Sequence, residues 1–240
     1  MMIQKNNDKS GLIEHLDDLR SCIIKIIIAI IFTSVISLFF TDWIFESLLY
    51  PLKQIGYNKL FFFSPYEAFF IKIKADLFFA VILAFPFIIF QIWNFISPGL
   101  YENEKKIALP VILVSFVLFL LGVFFSYFIV SPMTLKFFLS FEDNTMHALL
   151  SASKYFGYVM MMLFSFGLMF LMPIFLLMLM RAGIFSPQGL ASKRKYIIII
   201  ILVVSAVFTP PDVLSQVLLA VPLYLLFELS LLVGKFINKR

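Results

Sequence analysis

Six long apolar runs, separated by short polar joints, fill nearly all of the 240 residues. The runs lack the charged outer face that an amphipathic helix of a soluble domain carries. They are hydrophobic all round and long enough to cross a hydrocarbon core, which takes ~20 residues per helix. Four of them cover residues 22–40, 75–96, 107–130 and 155–180. Two more, 196–208 and 213–233, flank the tight turn Thr209-Pro210-Pro211-Asp212. The pattern predicts an all-α, polytopic membrane protein with six transmembrane helices, the last two short. The joints leave no room for a separate aqueous domain, so residues 1–240 read as one membrane domain.

The polar joints refine this outline. Residues 41–74 make a polar-aromatic stretch, long for a loop and only partly apolar. Within it Ser64-Pro65-Tyr66-Glu67 reads as a helix start: Ser64 can cap, Pro65 suits the first helical position and Glu67 can complete a capping box. Pro86 predicts a kink in the second span. Ser131-Pro132 predicts the end of the third, because the residue before proline disfavours the helical region. Only 14 residues lie between Lys195 and Pro210, and 15 between Asp212 and Glu228. At 1.5 Å per residue the first of these gives about 21 Å, against ~30 Å of hydrocarbon. Two arrangements fit: helices that extend a turn at each end, or a short hairpin that thins the bilayer locally.

Composition supports the pattern. Hydrophobic residues make up 62%, charged residues 14%, and Phe occurs 32 times, which leaves water no part as the main solvent. The net charge of +5 and pI near 9.2 suggest nucleic acid as a partner only until the charges are placed. Lys and Arg stand at the ends of the apolar runs, where they fix orientation, and form no basic stripe. Thirteen of the 19 flank one side, among them Arg20, Lys25, Lys105, Lys106, Arg181, Arg194 and Lys235; the other six are Lys53, Lys59, Lys72, Lys74, Lys136 and Lys154. The rule that positive loops stay inside then puts both termini in the cytoplasm. The single cysteine, Cys22, reads as a small buried hydrophobe. The first run is too long for the apolar region of a cleavable secretion signal.

No constellation for catalysis is apparent. His15 and His147 fall on opposite sides of the membrane, so no two-histidine metal site forms. A glycine-rich phosphate loop and a nucleophile elbow are both missing, and neither enzyme activity nor a cofactor is expected. The informative charges are acidic: Glu14, Asp17 and Asp18 just before the first span, and Glu102 and Glu104 in the joint before the third. Acids favour helix N-termini, which explains both clusters without a ligand. An anionic surface for a basic ligand explains them equally, since carboxylates pair with guanidinium bidentately. Asp76 and Glu228 are the clearest ionisable residues at membrane depth, both near span ends; Gln91 and Gln216 are polar but uncharged. A proton- or ion-coupled small-molecule transporter would place more such groups near the midplane, and stands as the alternative function.

The chain resembles the TatC family, the multispanning core of the twin-arginine protein translocase. The resemblance rests on His15-Leu16-Asp17-Asp18-Leu19-Arg20, Ser64-Pro65-Tyr66-Glu67, Gln91-Ile92-Trp93-Asn94-Phe95 and the run Ser97-Pro98-Gly99-Leu100-Tyr101-Glu102-Asn103-Glu104-Lys105-Lys106. It continues through Phe166-Gly167, Ser186-Pro187, Arg194-Lys195-Tyr196, Thr209-Pro210-Pro211-Asp212, Ser215-Gln216 and Pro222-Leu223-Tyr224, to Glu228. Each motif is weak alone; their order and spacing are specific.

The resemblance implies a receptor for folded exported proteins that carry a twin-arginine signal peptide. Asp18 and Glu104 match the family's arginine-contacting acids, with Asp17, Arg20 and Glu102 beside them. Pro51, Phe95, Pro210, Asp212, Gln216 and Glu228 are structural or partner-contact positions. Three departures stand out: Asp18 replaces the family's usual Glu, Glu102 adds a carboxylate, and Leu171 sits where relatives often carry Glu or Gln before a proline. The resemblance further implies a concave bundle in the bacterial inner membrane, single-span TatA- and TatB-like partners, self-association, and the proton motive force as energy source.

Overall fold

The computed structural model describes residues 4–57, 59–96, 108–143, 148–210 and 212–237. Glu102, Glu104, His147 and Pro211 lie outside them, and Glu14 and His15 are described in backbone only. Helix α1 (Gln4–Leu38) begins well before its apolar run, and the part long and apolar enough to cross a membrane is Leu16–Leu38. A turn at Phe39-Phe40 leads into α2 (Thr41–Gln54), a helix inside the polar-aromatic stretch that the pattern leaves without an element. Ile44, Leu48 and Leu52 recur every fourth residue and are buried, the spacing that puts side chains on one helical face. Pro51 and the aromatics Trp43, Phe45 and Tyr50 mask that period in the sequence.

Helix α3 (Glu67–Ile96) starts two residues later than the capping pattern suggests and stays helical through Pro86. Glu67 does reach back, accepting the Phe63 N–H at 2.7 Å. The same carboxylate also accepts from the Ser153 N–H at 2.9 Å and the Ser151 hydroxyl at 3.3 Å, so it ties two distant segments together. Alongside, Phe61 and Ser151 form a parallel bridge.

The helix end expected at Ser131-Pro132 is absent. Helix α4 (Ala108–Phe125) passes through a π-turn at Ser126–Val130 directly into α5 (Ser131–Leu139). In that turn the Ser131 N–H bonds to the Ser126 carbonyl, five residues back. The widened turn makes room for the Pro132 ring, which would clash with a carbonyl four residues earlier in a regular helix. The fourth span is two helices, α6 (Ala152–Met169) and α7 (Met172–Arg181), separated at Phe170-Leu171 just ahead of Pro173. In the basic joint a short helix, α8 (Pro187–Ser192), is capped by the Ser186 hydroxyl, which accepts the Gly189 N–H at 3.0 Å.

Helices α9 (Arg194–Phe208) and α10 (Val213–Ile237) close the chain. At 15 residues α9 is about 22 Å long, well under the hydrocarbon thickness. At 25 residues α10 runs past Glu228, because that charge is paired and does not end the helix. Among the described residues five helical segments are long and apolar enough to cross a membrane, ending with Val213–Phe236, and α9 is the short sixth of the predicted set.

Two compact units can be told apart, residues 1–44 with 73–116 and residues 45–72 with 117–240. In the first, α1 grips α3 through hydroxyls. The Thr33 hydroxyl lies 2.9 Å from the Ala80 carbonyl, and one turn on Ser37 lies 3.0 Å from the Asp76 carbonyl. Buried Ala80 and Ala84 on α3 let the backbones approach. In the second unit glycines serve the same end: a side chain at Gly122 of α4 would strike the Phe166 backbone, and one at Gly167 of α6 would meet the Phe119 ring. The second unit's core joins Met162 and Phe166 of α6, Met180 of α7, and Leu219, Leu223 and Phe227 of α10.

Candidate functional site

The candidate site lies in the first unit, where the entry of α1 meets the end of α3. Asp18, Ser21, Cys22 and Lys25 follow at intervals of three and four, which sets them on one helical face. Gln91, Asn94 and Phe95 repeat that spacing on α3. Together the seven residues line an open polar cleft of about 200 Å³. Its floor is buried Cys22, whose Sγ lies 3.5 Å from the Gln91 carbonyl, and its mouth carries the exposed Asp18 and Lys25. The notch therefore sets one carboxylate and one ammonium beside amide groups and a ring.

Of the predicted site residues, Asp18 and Phe95 come together here. Asp17 and Arg20 are exposed and stand outside the lining. Glu102 and Glu104 lie outside the described residues. Ser21, Lys25 and Asn94 join the lining without having been singled out as site residues: Lys25 counted only toward orientation, and Asn94 stood only within the Gln91–Phe95 motif.

The remaining positions lie in the second unit. Pro51 is buried within α2. Asp212 caps α10, accepting the Ser215 N–H at 2.6 Å, and its own N–H bonds the Pro210 carbonyl. Gln216 donates to the Leu202 carbonyl at 3.0 Å, stitching α10 to α9. Glu228 receives a bidentate pair from Arg194, at 2.6 and 3.0 Å, and the Tyr224 hydroxyl at 3.0 Å. Leu171, where relatives are often polar, sits in the break between α6 and α7.

Residues 14–222 match the family model described as "Sec-independent protein translocase protein (TatC)". The chain belongs to the TatC family. A TatC from Aquifex aeolicus is 43% identical over 232 residues, covering 95% of this chain and 96% of the relative. One from Magnetococcus marinus is 39% identical over 234 residues, covering 97% and 86%. The Escherichia coli K12 protein is 34% identical over 231 residues, covering 95% and 90%. A solved structure described as "Crystal Structure of Twin Arginine Translocase Receptor- TatC in DDM" superposes with a TM-score of 0.80 at 43% identity, covering 92% of this chain and 99% of that one. As a TatC, this chain is a membrane-embedded subunit of the Sec-independent translocase. The transporter alternative is thereby set aside.

Proposed function

We propose that this TatC receives exported proteins by holding the arginine pair of their signal peptides between Asp18 and Glu104, on the cytoplasmic side of the membrane. The observation that carries the reading is the position of Asp18, at the mouth of a polar cleft between α1 and the end of α3. The segment bearing Glu104 follows α3 directly in sequence. Each guanidinium–carboxylate contact contributes roughly 1.5–3 kcal/mol where partly desolvated. Two contacts give a few kcal/mol before ordering costs, suited to a receptor that must later release its cargo. Asp17, Arg20 and Glu102 supply the surrounding field, and Phe95 an apolar wall. TatA- and TatB-like single-span proteins are the partners, and the inner membrane of a bacterium is the setting.

The test is signal-peptide affinity in detergent or nanodiscs for the wild type, Asp18→Asn, Glu104→Gln and the double variant. A twin-lysine peptide should bind more weakly than twin-arginine, because an ammonium lacks the planar fork. Glu104→Gln should lose much of that discrimination, and Asp18→Glu should bind at least as well as wild type. Wild-type affinity of Glu104→Gln for the twin-arginine peptide at moderate salt sinks the assignment.

A further inference from the structure

The second unit holds a different cavity, of about 150 Å³, which the signal-peptide reading does not use. Its construction begins at the end of α2. Gly56 takes a φ of 83°, open to a residue without Cβ. The Gly56 N–H bonds the Lys53 carbonyl, and the Tyr57 N–H bonds the Leu52 carbonyl. That is a Schellman closure, which brings the side chains of Leu52 and Tyr57 to the same place. Both line the cavity. The chain then passes through Phe62, held by the bridge of Phe61 to Ser151 and by Glu67. The floor is Ala152 and fully buried Phe156, which stacks on Phe45 with ring centroids 4.6 Å apart.

The cavity is apolar inside and basic at its edge. Lys53, in the last turn of α2, lines it and is exposed. Lys72 Nζ lies 5.9 Å from the centroid of the Phe45 ring, which forms a wall. A pocket with so apolar a lining gains free energy by taking up hydrocarbon. It is smaller than the ~300–1,000 Å³ of sites that enclose a drug-sized ligand, so it seats one end of a longer molecule. Its level in the membrane follows from its neighbours. The membrane-crossing part of α3 starts at Glu67, directly after this loop. Tyr66 is exposed there, as the amphipathic tyrosine ring is at the headgroup boundary, beside the exposed Phe61, Phe62 and Phe63.

We propose that this cavity binds an anionic phospholipid, with a stretch of acyl chain inside and the phosphate at Lys53. Charge and depth favour lipid over a partner's side chain: an apolar side chain fills the cavity without using the lysine, whereas an anionic lipid uses both at the one level where both exist.

The full chain, purified in detergent and stripped of lipid, is titrated with dioleoyl phosphatidylglycerol or dioleoyl phosphatidylcholine and followed by native mass spectrometry and thermal shift. Phosphatidylglycerol should be retained preferentially and raise the unfolding temperature. Lys53→Gln should weaken that binding about fivefold, the size expected for one lysine at an anionic surface. Lys136→Gln, the same charge change at an exposed lysine away from the cavity, should leave it unchanged. Ala152→Leu, which fills the cavity, should lower retention of phosphatidylglycerol; if that variant does not fold, Leu49→Phe fills it from another lining position. Equal binding of the two lipids, equal effects of the two lysine changes, or full retention by a folded cavity-filling variant overturns the proposal.

Discussion

Tyr127 donates its hydroxyl to the carbonyl of Ser47 at 2.7 Å. Ser47 stands four residues before Pro51, which has no N–H to complete the helical bond to that carbonyl. Tyr155 does the same for the next carbonyl, Leu48, at 2.8 Å. The proline in α2 and the two tyrosines, 76 and 104 residues further on, therefore form one device: a helix broken in its bonding and repaired from outside.

Removing either hydroxyl should expose that dependence. Tyr127→Phe and Tyr155→Phe should each cost about 1–2 kcal/mol, the usual penalty for a buried polar group left unmet. In a Pro51→Ala background the N–H at position 51 can bond Ser47 again, so Tyr127→Phe should cost less. Unfolding of the four combinations in detergent gives the coupling; independent effects of Pro51→Ala and Tyr127→Phe would remove the device.

Two helical glycines should respond in opposite ways to alanine. At Gly122 a Cβ meets backbone atoms of Phe166, which cannot move aside. At Gly157 nothing lies within 4 Å. Gly122→Ala should lower the unfolding temperature and the yield of folded protein, while Gly157→Ala should be neutral or gain up to about 1 kcal/mol from helix propensity. Thermal shift of the two variants side by side checks the contrast.

The Arg194–Glu228 pair is well shaped and partly exposed, so geometry should matter more than charge. Arg194→Lys keeps the charge and loses the fork, and should lower the unfolding midpoint slightly at low salt. The deficit should shrink at about 1 M salt, where screening acts within ~3 Å. A deficit that persists in salt would point to lost packing of the arginine stem instead.

Orientation is tested by impermeant thiol labelling in whole cells, with Cys22→Ala as background. Single cysteines at Asn103 and Ser192 should be protected, and those at Asn58 and Asn144 labelled. Labelling at Asn103 would reverse the thirteen-to-six reading of the basic residues and remove the proposed site from the cytoplasm.

Hydrophobic run length was the most legible property of the sequence, because it is set by the bilayer and needs no tertiary detail. What the sequence hid was local. Ser131-Pro132 looked like a helix end because proline rules assume a regular helix, and the π-turn before it changes the geometry. Helix α2 was overlooked because the Ile44, Leu48 and Leu52 stripe is interleaved with exposed Trp43 and Tyr50, whose apolar rings blur the period. At the candidate site, acidity singled out Asp18. Ser21 and Asn94 escaped because neutral polar groups carry no signal until the cleft they line is seen. Glu67 was legible as a cap but not as a tie, since its partners Ser151 and Ser153 are more than 80 residues away.

The hydroxyls of Thr33 and Ser37 bear on the order in which the chain enters the bilayer. Each reaches a carbonyl of its own helix as well as one of α3: Thr33 that of Ala29 at 3.0 Å, and Ser37 that of Ser34 at 2.9 Å. A newly inserted α1, surrounded only by lipid, thus leaves neither hydroxyl unmet. When α3 follows, the same two groups turn outward to Ala80 and Asp76 without any step at which a polar group stands bare in hydrocarbon. The first helix is in this way equipped to wait in the membrane for a partner that the ribosome has not yet finished.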